Sequence, residues 1–324
     1  MRRFFSDDSF WNQPLPANPE IAPRSGHFIN ILHEPAGNAK QNPGLPWWIN
    51  CDSYSIPVYE VDENTPRYNV LQWDMPEAQK PGRWKPREKY WSHGPGFNSH
   101  GGVPIPDAAT PAPGTDMHLA LVDWKRNLVW DMWAARKRPD GQWESRTGMV
   151  YPANGSGVWQ TSDFATVRDD DSIHFHGPGR AAGVPILAGL IMREELLAGE
   201  INHKLAFATW HNAFKEFVAP ATWTDGFRDG GIPEGAVMQL DPALDLAQFK
   251  LSPAALAIAR ALQRYGMVNV DVAEGNCVYA ESPHEPEWNW KGLLTPDCLR
   301  GIPLTHYRVL KIGETTKLGD CVRK

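Results

Sequence analysis

The 324-residue sequence has few cysteines and no long apolar run. Its four cysteines are Cys51, Cys277, Cys298 and Cys321, and their spacing matches no zinc-binding pattern, although it allows a disulfide bridge among the last three. The longest apolar runs fall well short of the eighteen or so residues that a membrane-spanning helix needs. These absences predict a globular protein with no membrane span and no structural zinc.

The sequence also lacks any concentration of positive charge. Its net charge is -6, and the one basic cluster, 136–138, is only three residues long. Because proteins that bind nucleic acid present a concentrated basic face to the phosphates, we expect no nucleic-acid partner. The chain equally lacks a G-x-S-x-G elbow, a glycine-rich phosphate loop and a dinucleotide fingerprint. A common serine hydrolase and a nucleotide enzyme are therefore not expected, and we predict no cofactor.

The first residues contain no apolar core of a signal peptide. Two arginines precede "FFSDDSFWNQP", and the polar run Ser6-Asp7-Asp8 interrupts immediately. We therefore expect a secreted protein whose signal peptide has been removed, with a cytoplasmic protein as the alternative.

Tryptophan is abundant, with 15 residues, beside 29 prolines and 28 glycines. Indole rings fill cores, but they also form flat platforms for the apolar faces of sugar rings. Neighbours such as Trp47 and Trp48 point to opposite sides of a strand, so it is difficult to bury both rings at once. The composition favours a tryptophan-lined groove and a poly- or oligosaccharide partner.

Short β-like segments dominate the chain, and helical patterns are few. We predict a mainly β protein, a β-sandwich or jelly roll with a few peripheral helices. Residues 1–324 are expected to form a single β-rich domain with a long wrapping N-terminal segment and a C-terminal extension. Two hairpins are predicted, one from the arms 54–61 and 67–73, with an edge pair as its alternative, and the other around Glu274-Gly275-Asn276. Helices are predicted at 193–199 and at 252–266, the second with Ser252 as its cap and Gly266 after its end.

The segment 114–135 alternates apolar and polar residues on two arms, so we predict a hairpin that forms the floor of a site. Strand alternation places Asp116 and His118 on one outward face and Leu119 and Leu121 on the core face. With an even loop that pairs position 125 with position 128, Trp133 shares the face of His118. Asp131 would then lie roughly 13 Å along the strand from His118, as a distant contributor. An odd loop would send Trp133 to the core.

These patterns nominate eight site residues. The catalytic candidates are Asp116, His118, His203 and Asp131, because an imidazole oriented by a carboxylate can transfer protons. The substrate-binding candidates are Trp133, Arg180, Tyr151 and Trp159. His174 and His176 have the spacing of two metal ligands, but no third ligand follows nearby, so no metal site is predicted.

Several motifs resemble a broad family of mostly exported, uncharacterised microbial β-rich proteins. They are "SFWNQPLP", the hairpin "PAPGTDMHLALVDWKRNLVWDMWAA", "LAGLIMREELLAGEINH" and "ALQRYGM". The resemblance covers nearly the whole chain and implies export, together with a site at the positions of Asp116, His118, Asp131, Asn202 and His203. The family more often has Glu at the position of Asp131.

The leading hypothesis is a glycoside hydrolase acting in a tryptophan-lined groove, with Asp116 and Asp131 as its carboxylate pair. One alternative is a polysaccharide lyase on a uronic-acid polymer, in which His118 or Tyr151 moves the proton and Arg180 neutralises the substrate carboxylate. A second is a non-catalytic carbohydrate-binding or metal-binding surface protein.

Overall fold

The structure is a computed structural model, and it describes residues 2–37, 46–72, 97–99, 101–160, 163, 168–169, 172–173, 177–284 and 288–317. The candidates His174 and His176, and Cys321, lie outside these ranges. Within them, no helix is both long enough and apolar enough to cross a membrane.

The described residues form a mainly β protein in which short strands are arranged in several sheets. The strands are β1 Trp48–Asn50, β2 Val58–Glu60, β3 Arg67–Tyr68, β4 Leu71–Gln72, β5 Val103–Pro104, β6 Leu119–Asp123, β7 Leu128–Trp133, β8 Arg136–Lys137, β9 Trp143–Ser145, β10 Thr147–Pro152, β11 Arg168–Asp169, β12 Ser172–Ile173, β13 Leu205–Ala208, β14 Asn212–Phe217, β15 Ile232–Glu234, β16 Val237–Leu240, β17 Met267–Asp271, β18 Cys277–Tyr279, β19 Tyr307–Val309 and β20 Thr316–Lys317.

Two sheets dominate and pack in a sandwich-like arrangement. The larger has the strand order β1-β18-β13-β17-β16-β19, and the smaller has the order β10-β7-β6-β2. The layer shared by both sheets contains Ala120 and Val129 from the smaller sheet and Ala206, Val268 and Tyr279 from the larger. The predicted fold class is therefore confirmed.

Each sheet is also covered on its other face. Leu119, Leu121 and Trp130 of the smaller sheet belong to a separate buried cluster. The larger sheet carries a third cluster, which includes Phe207 and the helix residue Ile258. Because both faces are covered, apolar residues occupy both sides of strands such as β6, as in sheets buried on two sides.

Three helices are described: α1 Ser25–Ile31, α2 Arg193–Ala198 and α3 Pro253–Arg264. The predictions of α2 and α3 are confirmed. The Ser252 hydroxyl accepts a hydrogen bond from the Ala255 amide at the start of α3, and Gly199 adopts a left-handed conformation after α2. These are the usual chemical signals that begin and end a helix.

Both predicted hairpins outside 114–135 are wrong. β2 pairs with β6 in parallel, whereas β3 pairs with β5. β17 and β18 do not pair with each other either, because β13 lies between them in the larger sheet. Short-range turn signals could not reveal these partners, since strands from distant parts of the chain are inserted between sequence neighbours.

The first residues link the two large sheets. The Phe5 amide donates to the Ala153 carbonyl next to β10, and the Lys204 amide next to β13 donates to the Trp11 carbonyl. At the other end of the chain, β20 pairs with β14.

Candidate functional site

The 119–133 hairpin has an even loop, one of the two alternatives considered, but its register differs from the one assumed for that case. Asp123 pairs with Leu128, and Ala120 pairs with Asp131. The expected pairing of position 125 with position 128 is therefore wrong by two residues. Asp131 consequently lies diagonally across from His118, where residues are roughly 7–8 Å apart, instead of at the far end of the strand.

The predicted outward face of this hairpin is also wrong. Ala120 and Val122 are as fully buried as Leu119 and Leu121, and His118 is only 2% exposed. Met117 has a positive φ of 43°, which interrupts the alternation before β6 begins. The two residues next to Met117 in the sequence therefore point in different directions. Asp116 lies in the wall of a pocket, and His118 lies in the interior.

The pocket beside Asp116 has a volume of about 280 Å³. Its polar wall is formed by Asn50, Tyr54, Thr115, Asp116, Glu274 and Tyr279. The turn before β6 and the connection between β17 and β18 bring these groups together. Two carboxylates and two phenolic rings thus face one cavity, with the volume of a small-molecule or sugar-sized site.

Cys277 also lines this pocket, but its side chain is not a reactive thiolate. Burial raises the pKa of its thiol to about 12. Cys51, Cys277 and Cys298 are all free, so the described cysteines form no disulfide with one another. Because the thiolate is the nucleophilic form, Cys277 is an inert part of the wall at neutral pH.

Asp131 holds the loop that carries Arg180. Its Oδ1 accepts from the Gly179 amide and its Oδ2 from the Ile186 amide, both at 3.2 Å. A Cβ on Gly179 would lie 3.0 Å from the Ile186 side chain, so a larger residue here would require that side chain to shift. Burial raises the pKa of Asp131 to about 7, although the bonded amides and Tyr151 oppose this shift. Its position is that of a fully buried anchor for the loop.

Arg180 is fully buried, and it is the positive charge at the centre of the interior. Its Nη2 donates to the Ile186 carbonyl at 3.1 Å, whereas Nε and Nη1 have no hydrogen-bond partner among the described residues. The guanidinium carbon lies 3.7 Å from the centre of the Tyr279 ring. Tyr279 is also part of the pocket wall, so this one residue contacts the guanidinium and lines the cavity.

His118 lies within the electrostatic reach of both Asp116 and Arg180. Burial lowers the pKa of its imidazole to about 4; Arg180 adds to this effect, and Asp116 and the Gly179 backbone oppose it. Neither ring nitrogen makes a well-aligned hydrogen bond to the described residues. The imidazole is therefore neutral near pH 7 and has a lone pair that can accept a proton.

Tyr151 is the third buried group beside Arg180. Burial, and next the Asp131 carboxylate, raise the pKa of the Tyr151 hydroxyl well above its usual value, whereas Arg180 lowers it. The Trp159 ring meets the Tyr151 ring edge-on, with centroids 5.6 Å apart. Tyr151 and Trp159 thus lie together.

Trp133 touches the pocket through one polar contact. Its Nε1 donates to the Asp116 carboxylate at 3.5 Å, and the Arg146 guanidinium lies 5.5 Å from its ring centre. Other tryptophans are structural: the described ones that are buried are Trp11, Trp47, Trp130, Trp143 and Trp290. In the pocket wall, tyrosine supplies the aromatic rings.

His203 is separated from this group and has a clear structural environment. Its Nε2 lies 3.0 Å from Glu195, and its Nδ1 lies 2.7 Å from the Lys204 carbonyl. Burial alone would lower the pKa of His203, but Glu195 and the Lys204 carbonyl outweigh it, and the pKa is raised. The residue joins α2 to the start of β13.

Five residues of the polar wall were missed at the sequence level: Asn50, Tyr54, Thr115, Glu274 and Tyr279. Glu274 lies in the turn that was interpreted as a simple hairpin and Tyr279 lies after it, and β13 is inserted between the strands on the two sides of this turn. Within the described residues, no group of three or more His, Cys, Asp or Glu side chains could hold a metal ion. Comparison with protein-family models, curated proteins and solved structures found no match.

Proposed function

We propose that the protein is a polysaccharide lyase acting on a uronic-acid polymer, with the Asp116 pocket as its binding site and Arg180 behind it. One observation carries the proposal: the buried guanidinium of Arg180 stacks on the Tyr279 ring at 3.7 Å and interacts electrostatically with His118, so the three groups that such a reaction requires lie together. A buried guanidinium with two unused donors is suited to a carboxylate ligand, because charge-assisted bidentate bonds compensate the cost of burial.

The reaction assigned to these groups is a β-elimination. Arg180 binds the uronate carboxylate and stabilises the charge that develops when the neighbouring C5 proton leaves. Neutral His118 accepts that proton. The electron pair forms a C4–C5 double bond, the glycosidic C4–O bond breaks, and the leaving oxygen takes a proton from the hydroxyl of Tyr279. The polymer is cut without consuming water.

Entry of the substrate requires a movement of Tyr279. Arg180 is fully buried, and the Tyr279 ring covers its guanidinium at 3.7 Å. A carboxylate in the pocket therefore reaches Nε and Nη1 only after this ring turns aside. Asp116 and Glu274 make the rest of the wall acidic, so the substrate carboxylate is directed towards the Tyr279 side.

A glycoside hydrolase is the second candidate, supported by a different observation. Asp116 and Glu274 line the same pocket. Most glycosidases use a pair of carboxyl groups as their catalytic residues. The pair differs from that predicted from the sequence, because the Asp131 carboxylate is occupied by the Gly179 and Ile186 amides.

A glycan panel separates these functions. Purified protein is incubated with polygalacturonate, alginate, glucuronan and neutral glucans and mannans, and both new reducing ends and the ultraviolet absorbance of unsaturated uronate are measured. A lyase raises both signals on a uronan, and Arg180→Lys should lose about 100-fold or more of the activity. Arg300→Lys, at an exposed arginine, is the matched control. Reducing ends without absorbance would establish the hydrolase, and polymer binding without cleavage would establish a binding protein.

A further inference from the structure

The side chains of the Asp116 pocket present hydrogen-bond acceptors, and among the described residues of its wall no side-chain N–H group is left free. Asp116 and Glu274 contribute carboxylates, which only accept hydrogen bonds when ionised. The side-chain amide of Asn50 donates to the Tyr54 carbonyl at 3.4 Å and to the Cys277 sulfur at 3.5 Å, so its remaining polar atom is the carbonyl oxygen. The hydroxyl groups of the wall can donate or accept. The wall therefore matches a ligand that donates hydrogen bonds.

The two carboxylates also lack a compensating positive charge. Within the described part of the chain, neither Asp116 nor Glu274 forms an ion pair with a lysine, arginine or histidine side chain. Burial, then Asp225 and Asp116, raise the pKa of the neighbouring Asp271 well above its usual value, whereas the fully buried Arg180 lowers it. A cation in the pocket would reduce this excess of negative charge.

The acceptor groups are held in place by close packing. A Cβ on Gly114 would lie 3.0 Å from the Tyr54 ring, and a Cβ on Gly37 would lie 3.0 Å from the Glu274 side chain, so both side chains pack directly on a glycine. The Asp116 carbonyl accepts a hydrogen bond at 2.8 Å from the first amide after β7. The wall is therefore preorganised, which lowers the entropic cost of binding a ligand.

We infer that the Asp116 pocket binds the ammonium group of an amino sugar whose nitrogen carries no acyl group. An ammonium group has three N–H donors and a positive charge. The Asp116 and Glu274 carboxylates accept charge-assisted hydrogen bonds from it, and the Asn50 carbonyl oxygen accepts a third. The Tyr54 ring provides an aromatic surface for the sugar ring. An N-acetyl group would remove the charge, and a uronate would meet two carboxylates, so both are disfavoured at this position.

Taken with the proposed lyase function, on which this step rests, the pocket defines the substrate class. The uronate carboxylate reaches Arg180 when Tyr279 turns aside, and the adjoining sugar occupies the acidic part of the same cavity. The substrate is then a polymer in which uronic acids alternate with hexosamines that have free amino groups. Polymers of uronic acid alone, or with N-acetylated hexosamines, are poorer substrates.

Isothermal titration with oligosaccharides of glucosamine, N-acetylglucosamine and glucose tests the ammonium site without relying on cleavage, because none contains a uronate. At about pH 6, where most amines are protonated, the wild type should bind the glucosamine oligosaccharides at least about tenfold more tightly than the other two. Added salt should weaken this binding. Asp116→Asn, which removes a half-buried charge, should weaken it about tenfold, and Glu274→Gln, at an exposed carboxylate, about threefold.

Glu200→Gln, at an exposed carboxylate outside the pocket, is the matched control and should bind as the wild type does. Melting curves of all variants accompany the titrations, and the exposed Glu274 provides the test if Asp116→Asn fails to fold. The inference is overturned if the wild type binds the glucosamine oligosaccharides no more tightly than the N-acetylated ones, or if no folded pocket variant weakens the binding.

Two polymers test the substrate class. One alternates glucuronate with N-acetylglucosamine, and the other is its N-deacetylated form. The wild type should release unsaturated ends at least about tenfold faster from the deacetylated polymer, and Glu274→Gln should reduce this preference. Equal rates would overturn the substrate class while the lyase function stands. Absence of unsaturated ends from every uronate polymer would instead remove the lyase function and this substrate class, whereas the glucosamine titration decides the ammonium site by itself.

Discussion

The guanidinium of Arg180 stacks on the ring of Tyr279 at 3.7 Å, and the same ring forms part of the pocket wall. One aromatic side chain thus connects the buried positive charge to the cavity. Cation–π contacts of this kind stabilise by about 2 kcal/mol or more when desolvated, so the stack also holds Arg180 in place. In the proposed reaction, Tyr279 both covers Arg180 and donates the proton.

Tyr279→Phe separates these two roles. The variant keeps the ring, so its thermal stability should remain within a few degrees of the wild type. It loses the hydroxyl, and turnover of a uronic-acid polymer should fall about 10²-fold to 10⁴-fold, the usual contribution of a positioned acid. Steady-state rates and a melting curve on the same preparation provide the measurement. Unchanged turnover would remove Tyr279 from the reaction.

His118 should give an unusual pH dependence of turnover. With an imidazole pKa of about 4, His118 stays neutral and able to accept a proton down to nearly pH 5. The rate should therefore remain level between about pH 8 and pH 5 and fall only as pH approaches 4, far below the usual histidine value of about 6.5. His118→Gln should abolish turnover across this range. An inflection near pH 6.5, or an active glutamine variant, would contradict the assignment.

Asp131→Asn tests whether the buried carboxyl group anchors the Arg180 loop. The native pKa of about 7 lies above the unfolded value, so the wild type holds a proton that the unfolded chain releases. Its contribution to stability is complete below about pH 4 and is lost as pH rises through about 7. The free energy of unfolding of the wild type should therefore fall relative to the variant by up to about 4 kcal/mol over that interval. Urea unfolding at several pH values measures this difference, and parallel curves would show that Asp131 is not buried as described.

His203→Gln should destabilise the protein in a pH-dependent way. The raised pKa of His203 means that its ion pair with Glu195 is fully present below the unfolded value and is lost as pH rises through the folded one. The variant should thus lose more stability at pH 6 than at pH 9, with turnover per folded molecule unchanged. A pH-independent loss would mean that His203 acts by packing alone.

The sequence predicted the parts of the fold that depend on local chemistry. The serine cap and the apolar spacing of α3, and the glycine after α2, are signals within a single segment. The partners of β2, β17 and β18 were not predictable, because each pairs with a strand from elsewhere in the chain. Tertiary context decides strand pairing far more than it decides the ends of a helix.

Only part of the candidate site could be read from the sequence, and its geometry was mistaken. Asp116, His118 and Arg180 were nominated, and His118 lies within the electrostatic reach of the other two, but Asp116 alone of the three lines the pocket. The buried position of His118 could not be predicted from the alternation of apolar and polar residues. That pattern shows neither the positive φ of Met117 nor the burial of both faces of β6. The anchoring role of Asp131 depended on a loop almost fifty residues away.

The most direct test of the central claim is the ratio of unsaturated ends to reducing ends released from one uronic-acid-containing polymer by the wild-type protein. Elimination forms one double bond for each glycosidic bond broken, so the account predicts a ratio of one throughout the reaction, and no product with the Arg180→Lys variant beyond about a hundredth of that amount. Reducing ends that appear without unsaturated uronate would contradict it.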